Sequence, residues 1–198
     1  MTAHHDQVAM AGFVGLGHME SAPDGTACEE AVRGLMVMYA GSEENCARVE
    51  PLLAGLSDRR RRVGDRPGQP QALKLADNFL SATALAATSQ AVAFGQAAGL
   101  DTAVMPEVLN TSSGRSGATA DKFPDEVLTG RYRAGFSNTL MARDVRLYLG
   151  EVERLGGRAV IGSVTASVWE EFAAAEPGAD FTRVHPFTTE ARGTPSDS

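Results

Sequence analysis

The sequence predicts an α+β chain in which a small α/β segment precedes an all-helical domain, and three observations carry that prediction. Two short apolar runs that end in glycine, residues 8–15 and 35–41, have the character of buried parallel strands. From Gln71 to Gln96 there is no proline, and glycine occurs only at Gly95, so alanine, leucine and small polar residues spell out about seven turns of helix. After Val63 nothing alternates apolar and polar residues as a half-buried strand must.

Taken in order, residues 8–15 enter a tight turn, and Ser21-Ala-Pro-Asp-Gly25 clusters turn residues into a loop. Residues 35–40 are the second strand. Ser42 followed by Glu43 and Glu44 starts a helix: the hydroxyl can cap a free backbone N–H, and the acids meet the positive end of the helix dipole. That helix runs to about Leu56, with Val49, Leu52, Leu53 and Leu56 on one face. Arg61, Arg62 and Val63 give a short last strand before Gly64. The long helix over residues 71–96 is apolar almost all round, which predicts burial on most sides, and Gly99 ends it. Further helices are expected over residues 101–111, then a short piece to Lys122, then 138–155 and 163–175, the last stopped by Pro177-Gly178. The tail from Thr188 onward is rich in Thr, Ser, Gly and Pro, a composition that predicts disorder. The implied domains are residues 1–66, 67–187 and a tail of 188–198.

A formal net charge of −7 over 198 residues disfavours general affinity for nucleic acid or anionic membranes. The basic block from Arg59 to Arg62 is short, without interleaved aromatics, and reads as a solvated edge strand or loop. No apolar run approaches a membrane span, and the first ten residues lack the basic and apolar regions of a signal peptide. Cys28 and Cys46 belong to no CxxC or ligand cluster, and read as reduced thiols of a cytoplasmic protein. The four histidines, His4, His5, His18 and His185, lack metal-ligand spacing, so no metal is expected. His18 falls in the turn after the first strand and the other three read as surface residues. Only Lys74 and Lys122 of the 18 basic residues are lysine, a side chain whose pKa burial can tune as it cannot tune arginine's.

Gly15-Leu-Gly17-His-Met-Glu20 after the first strand is most of a GxGxxG dinucleotide fingerprint, in which glycines let a diphosphate approach a helix N-terminus. Glu20 replaces the third glycine, and Ser21-Ala-Pro23 interrupts the chain where a crossover helix would follow. An ordinary strand and turn explains the motif equally well.

Six segments in order resemble the β-hydroxyacid dehydrogenases, the family of 3-hydroxyisobutyrate dehydrogenase and tartronate semialdehyde reductase. They are Gly12-Phe-Val-Gly-Leu-Gly-His-Met19, Ser21-Ala-Pro-Asp-Gly25, Gly34-Leu-Met-Val-Met38 with Gly41, Gln71-Ala-Leu-Lys74-Leu-Ala-Asp-Asn78, Asn110-Thr-Ser-Ser-Gly-Arg-Ser116, and Phe136 through Leu140 to Arg143-Asp144. The resemblance implies a truncated Rossmann-type α/β remnant followed by an all-α domain like that of 6-phosphogluconate dehydrogenase. Roughly 100 residues of nucleotide-binding fold would be missing between Met19 and Ser21. It further implies that Lys74 is the general acid-base and that Asn78, one turn later on the same helix face, hydrogen-bonds the substrate. Gly15, Gly17 and Arg143 are implied as cofactor-binding, with Arg143 standing where the family has a lysine. Gly25 stands where the family has a substrate-binding serine, and Pro70 replaces a glycine.

Two functions follow. One is an NAD- or NADP-dependent oxidoreductase that moves hydride between the nicotinamide and a small β-hydroxyacid or semialdehyde, with activity weakened or lost through truncation. The other is a non-catalytic helical dimerisation module. Both predict a homodimer or higher homo-oligomer, because the apolar long helix needs cover.

Overall fold

The run of apolar residues that precedes Gly41 forms strand β1 (Met36–Ala40), the first element of a computed structural model that describes residues 36–189. The expected strand over residues 8–15, the loop over 21–25, Gly15, Gly17, Cys28, the histidines before residue 36 and the tail beyond residue 189 lie outside the described residues. The chain divides between Ala76 and Asp77 into two compact units.

In the first unit β1 pairs in parallel with β2 (Arg59–Gly64), and helix α1 (Glu43–Leu56) makes the connection between them. A parallel pair needs such a crossover, since a tight turn cannot return the chain in the same direction. The Ser42 hydroxyl accepts from the Asn45 N–H at 3.2 Å, which is the cap expected from the sequence. Val37, Met38 and Ala40 of the strand are buried, as is Leu53 of the helix. The arginine block begins β2 two residues earlier than expected, and its side chains brace the unit. Arg60 Nε donates to Glu50 Oε1 at 3.0 Å while the Tyr39 hydroxyl donates to Glu50 Oε2 at 2.7 Å, so one carboxylate joins β1, α1 and β2. Arg62 clasps the Gly41 carbonyl from Nε and Nη2 at 3.1 and 2.8 Å.

Helix α2 (Gln69–Ala97) is 29 residues long and continues from the first unit into the second. Pro70 is tolerated because it sits in the first turn, where a missing N–H costs no helical bond. Gly99 takes φ +82° after the last turn, a backbone that glycine adopts without strain. From Asp77 on, Asn78, Ala82, Leu85, Ser89 and Val92 are buried at alternating steps of four and three residues, so α2 buries a single stripe. Within one chain, then, the helix is covered on one side only. Leu80 and Phe94 on other faces are well exposed, because the same chain packs against only one side of the helix.

Helices α3 (Val104–Asn110), α4 (Asn138–Arg154), α5 (Val160–Ala175) and α6 (Val184–Thr189), with a π-helix at Ala118–Val127, complete the second unit. Among its described residues there is no strand, only one bridge between Ser137 and Asp180. Trp169 and Phe172 of α5, Phe123 of the π-helix and Val145 of α4 are fully buried in one apolar cluster. The Trp169 indole donates to the Ala82 carbonyl at 3.3 Å. Asn138, also fully buried, caps the far end of α5: its amide donates to the carbonyls of Phe172 and Glu176 and accepts from the Gly178 N–H. Thr188 and Thr189, assigned by composition to a disordered tail, belong to α6, with their hydroxyls bonded to carbonyls one turn back. His185, read as a surface residue, is half-buried with its ring edge-on to Phe123 at 5.2 Å.

Candidate functional site

The site is built in the second unit where side chains of α2 and α4 meet. Asn78 presents its side chain from the buried stripe of α2, and its Nδ2 donates to Asp144 Oδ2 on α4 at 2.7 Å. Only 9% of Asn78 and 8% of Asp144 are exposed, so this is a buried bond between an amide and a carboxylate. An isolated carboxylate in such a place is costly, and it requires donors on both oxygens. Donors to the second oxygen come from Arg143, whose Nε and Nη2 donate to Asp144 Oδ1 at 3.1 and 2.9 Å. Beside it, the rings of Phe79 of α2 and Tyr148 of α4 stack with centroids 4.3 Å apart and planes 4° from parallel.

Two consequences follow for chemistry. An amide that turns its NH2 toward Asp144 must turn its Oδ1 the other way, which leaves an acceptor for a hydroxyl or ammonium donor. Arg143 and Asp144 are sequence neighbours on a helix, and neighbours at that spacing do not face each other. Arg143 nevertheless reaches Asp144 Oδ1, while 62% of its side chain stays open to solvent.

Lys74 stands four residues before Asn78 on α2, half-buried, which places both on one side of that helix. The structure thus brings together Asn78 and Arg143, joined through Asp144. Asp144 was quoted in the sequence motif but given no role; only its contact across 66 residues reveals one.

The loop at Ser112 to Ser116 closes the chain locally. Ser116 and Thr119 exchange backbone and side-chain hydrogen bonds, and Asn110 Nδ2 donates to the Thr119 carbonyl at 2.9 Å. No cluster of three or more His, Cys, Asp or Glu able to hold a metal occurs among the described residues. No helix among them is long and apolar enough to cross a membrane.

Residues 68–187 match the family described as "NAD-binding of NADP-dependent 3-hydroxyisobutyrate dehydrogenase". A probable mitochondrial 3-hydroxyisobutyrate dehydrogenase of Arabidopsis thaliana is 29% identical over 143 residues, which is 69% of this chain and 41% of that protein. The 3-hydroxyisobutyrate dehydrogenase of Pseudomonas aeruginosa is 28% identical over 159 residues, 76% of this chain and 53% of the relative. The solved Mycobacterium tuberculosis 3-hydroxyisobutyrate dehydrogenase with L-serine superposes with a TM-score of 0.75 at 25% identity, covering 82% of this chain and 57% of that one. The chain thus spans about half the length of the relatives it matches.

Proposed function

The chain belongs to the 3-hydroxyisobutyrate dehydrogenase family, and on that premise we propose that it takes part in NAD- or NADP-dependent hydride transfer between a nicotinamide and a small β-hydroxyacid or its semialdehyde. The observation that carries the proposal is the buried Asn78–Asp144–Arg143 linkage, which gathers two of the residues assigned to the chemistry. Lys74 is the general acid-base, delivering a proton to the carbonyl oxygen during reduction and removing it from the alcohol in reverse. Asn78 takes the substrate hydroxyl on its Oδ1. Arg143 is the cation on the cofactor side, together with Gly15 and Gly17. Residues 1–66 are the nucleotide-binding part, residues 67–187 the helical dehydrogenase domain, and the setting is cytoplasmic.

The fit to a dinucleotide is uneven. The N-terminus of α1 is no seat for a diphosphate, because Ser42 already occupies the Asn45 N–H and Glu43 and Glu44 put two carboxylates in its first turn. Arg143, with an open guanidinium, suits the charge. A bound nicotinamide would supply the hydride acceptor or donor; the chain's own groups would orient the substrate and move its proton.

Titration with NADPH and with NADH, followed by nicotinamide fluorescence, tests the reading. Saturable binding of either supports it, and binding of neither at millimolar nucleotide removes it. A non-catalytic helical dimerisation module is the second reading, favoured by the exposed Leu80 and Phe94 of α2 and Val160, Ile161 and Val164 of α5. Under both readings the chain forms a homodimer or a higher homo-oligomer.

A further inference from the structure

Strand β1 has the chemistry of an interior strand. Val37 and Met38 are successive residues, whose side chains point to opposite faces of a sheet, and both are buried, so β1 is covered on both faces. An uncharged strand buried on both faces is what the middle of a parallel sheet holds. Among the described residues, however, β1 has a single neighbour, β2.

The two outer edges of this sheet differ. Along β2 stand four successive arginines, of which Arg59 and Arg61 are exposed while Arg60 and Arg62 are tied to Glu50 and the Gly41 carbonyl. Charged side chains along an edge discourage further pairing. β1, Met36-Val-Met-Tyr-Ala40, has neither charge nor proline nor glycine to discourage it. Two strands by themselves are marginal in water, and a third adds stability.

We propose that the outer edge of β1 is taken by residues 8–15 of the same chain, Val8-Ala-Met-Ala-Gly-Phe-Val-Gly15, added as a third parallel strand. That segment lies outside the described residues, and its sequence is apolar and uncharged. Twenty residues, 16–35, separate it from β1. Parallel neighbours need a connection of about a dozen residues or more, so this one suffices. The tether holds the segment at a local concentration of about millimolar, which a second copy at micromolar concentration does not match. In a whole doubly wound sheet the fourth strand stands between the first and the fifth, so the pairing belongs to the short connection of this chain. It does not depend on the dehydrogenase reading.

The test is NMR on the full chain, with isotope-labelled and unlabelled protein mixed so that contacts within a chain are told from contacts between chains. Cross-strand NOEs between residues 8–15 and 36–40 of one chain are expected. The amides of residues 36–40 should exchange slowly at every protein concentration. Successive N–H groups of a strand point to alternate edges, so one of Phe13→Pro and Val14→Pro removes a donor aimed at β1. That variant should speed exchange at residues 36–40 by about 10-fold or more, with helix content by circular dichroism retained. NOEs to β1 from a second chain, or protection that grows with concentration, would assign the edge to another copy and overturn the proposal. Wild-type protein without NOEs between the two segments overturns it as well, as does unchanged exchange in both proline variants.

Discussion

Asn78 and Asp144, 66 residues apart in sequence, share a 2.7 Å hydrogen bond that joins two helices through side chains each less than a tenth exposed. Removing one partner leaves the other buried and only partly satisfied. Asn78→Ala should therefore destabilise the second unit by about 1–3 kcal/mol. Asn78→Asp should cost more, since two carboxylates would face each other, and adding Asp144→Asn to it should recover part of the loss. Trp169 is the only tryptophan of the chain and is fully buried in this unit, so urea unfolding followed by its fluorescence reads the effect. Unchanged midpoints in Asn78→Ala would show that the bond contributes nothing.

The helix starts and stops were legible in the sequence because their chemistry is local. Ser42 caps α1 and Gly99 ends α2 as expected, since each acts within a few residues of itself. The lengths of α2 and α4 followed from uninterrupted helix-forming composition. The roles of Asp144 and Asn138 were not legible because their partners lie 66 and 34 to 40 residues away, and no periodicity encodes such contacts. The π-helix at Ala118–Val127 was equally hidden, with Pro124 inside it where an α-helix would have been broken. Which face of α2 the same chain covers was not legible, because composition records how apolar a helix is and says nothing of which side the fold covers.

The Glu50 carboxylate has a pKa below the ordinary carboxylate range, first because the Tyr39 hydroxyl donates to it and then because Arg60 does. A depressed pKa in the folded state stabilises above the unfolded value and is lost as pH falls through the lowered one. Acid should thus loosen the junction of β1, α1 and β2, and Glu50→Gln should flatten that part of the acid dependence. The Tyr39 phenol is raised by the same hydrogen bond, so its share is present below its ordinary value and lost as pH rises through the raised one. NMR titration of Glu50 should show its midpoint moving upward in Tyr39→Phe. A midpoint that stays put would remove the hydroxyl as the principal cause.

Phe94 of α2 and Val160, Ile161 and Val164 of α5 are each more than half exposed, and a soluble chain seldom leaves that much large apolar surface uncovered. The chain should sediment as a dimer or larger at micromolar concentration. Val164→Glu or Phe94→Glu should shift it toward monomer with helix content unchanged. A wild-type protein that sediments as a clean monomer would count against self-association altogether.

Lys74 is half-buried on α2, four residues before Asn78, and it is one of only two lysines in the chain. Its proposed work is to cycle one proton, which an amine can do and a guanidinium at neutral pH cannot. If the chain reduces a small semialdehyde with NADPH or NADH, Lys74→Ala should lower kcat by about 10²–10⁴-fold, the usual worth of a positioned general acid. Lys74→Arg should be no better, because charge without proton exchange leaves the step uncatalysed. Nucleotide affinity should be nearly unchanged in both variants, whereas Arg143→Ala should raise KM for the nucleotide more than it lowers kcat. That split separates a residue used in the transition state from one used in binding. Activity that survives Lys74→Ala would remove Lys74 as the acid, and a matching loss of nucleotide binding would recast it as a binding residue.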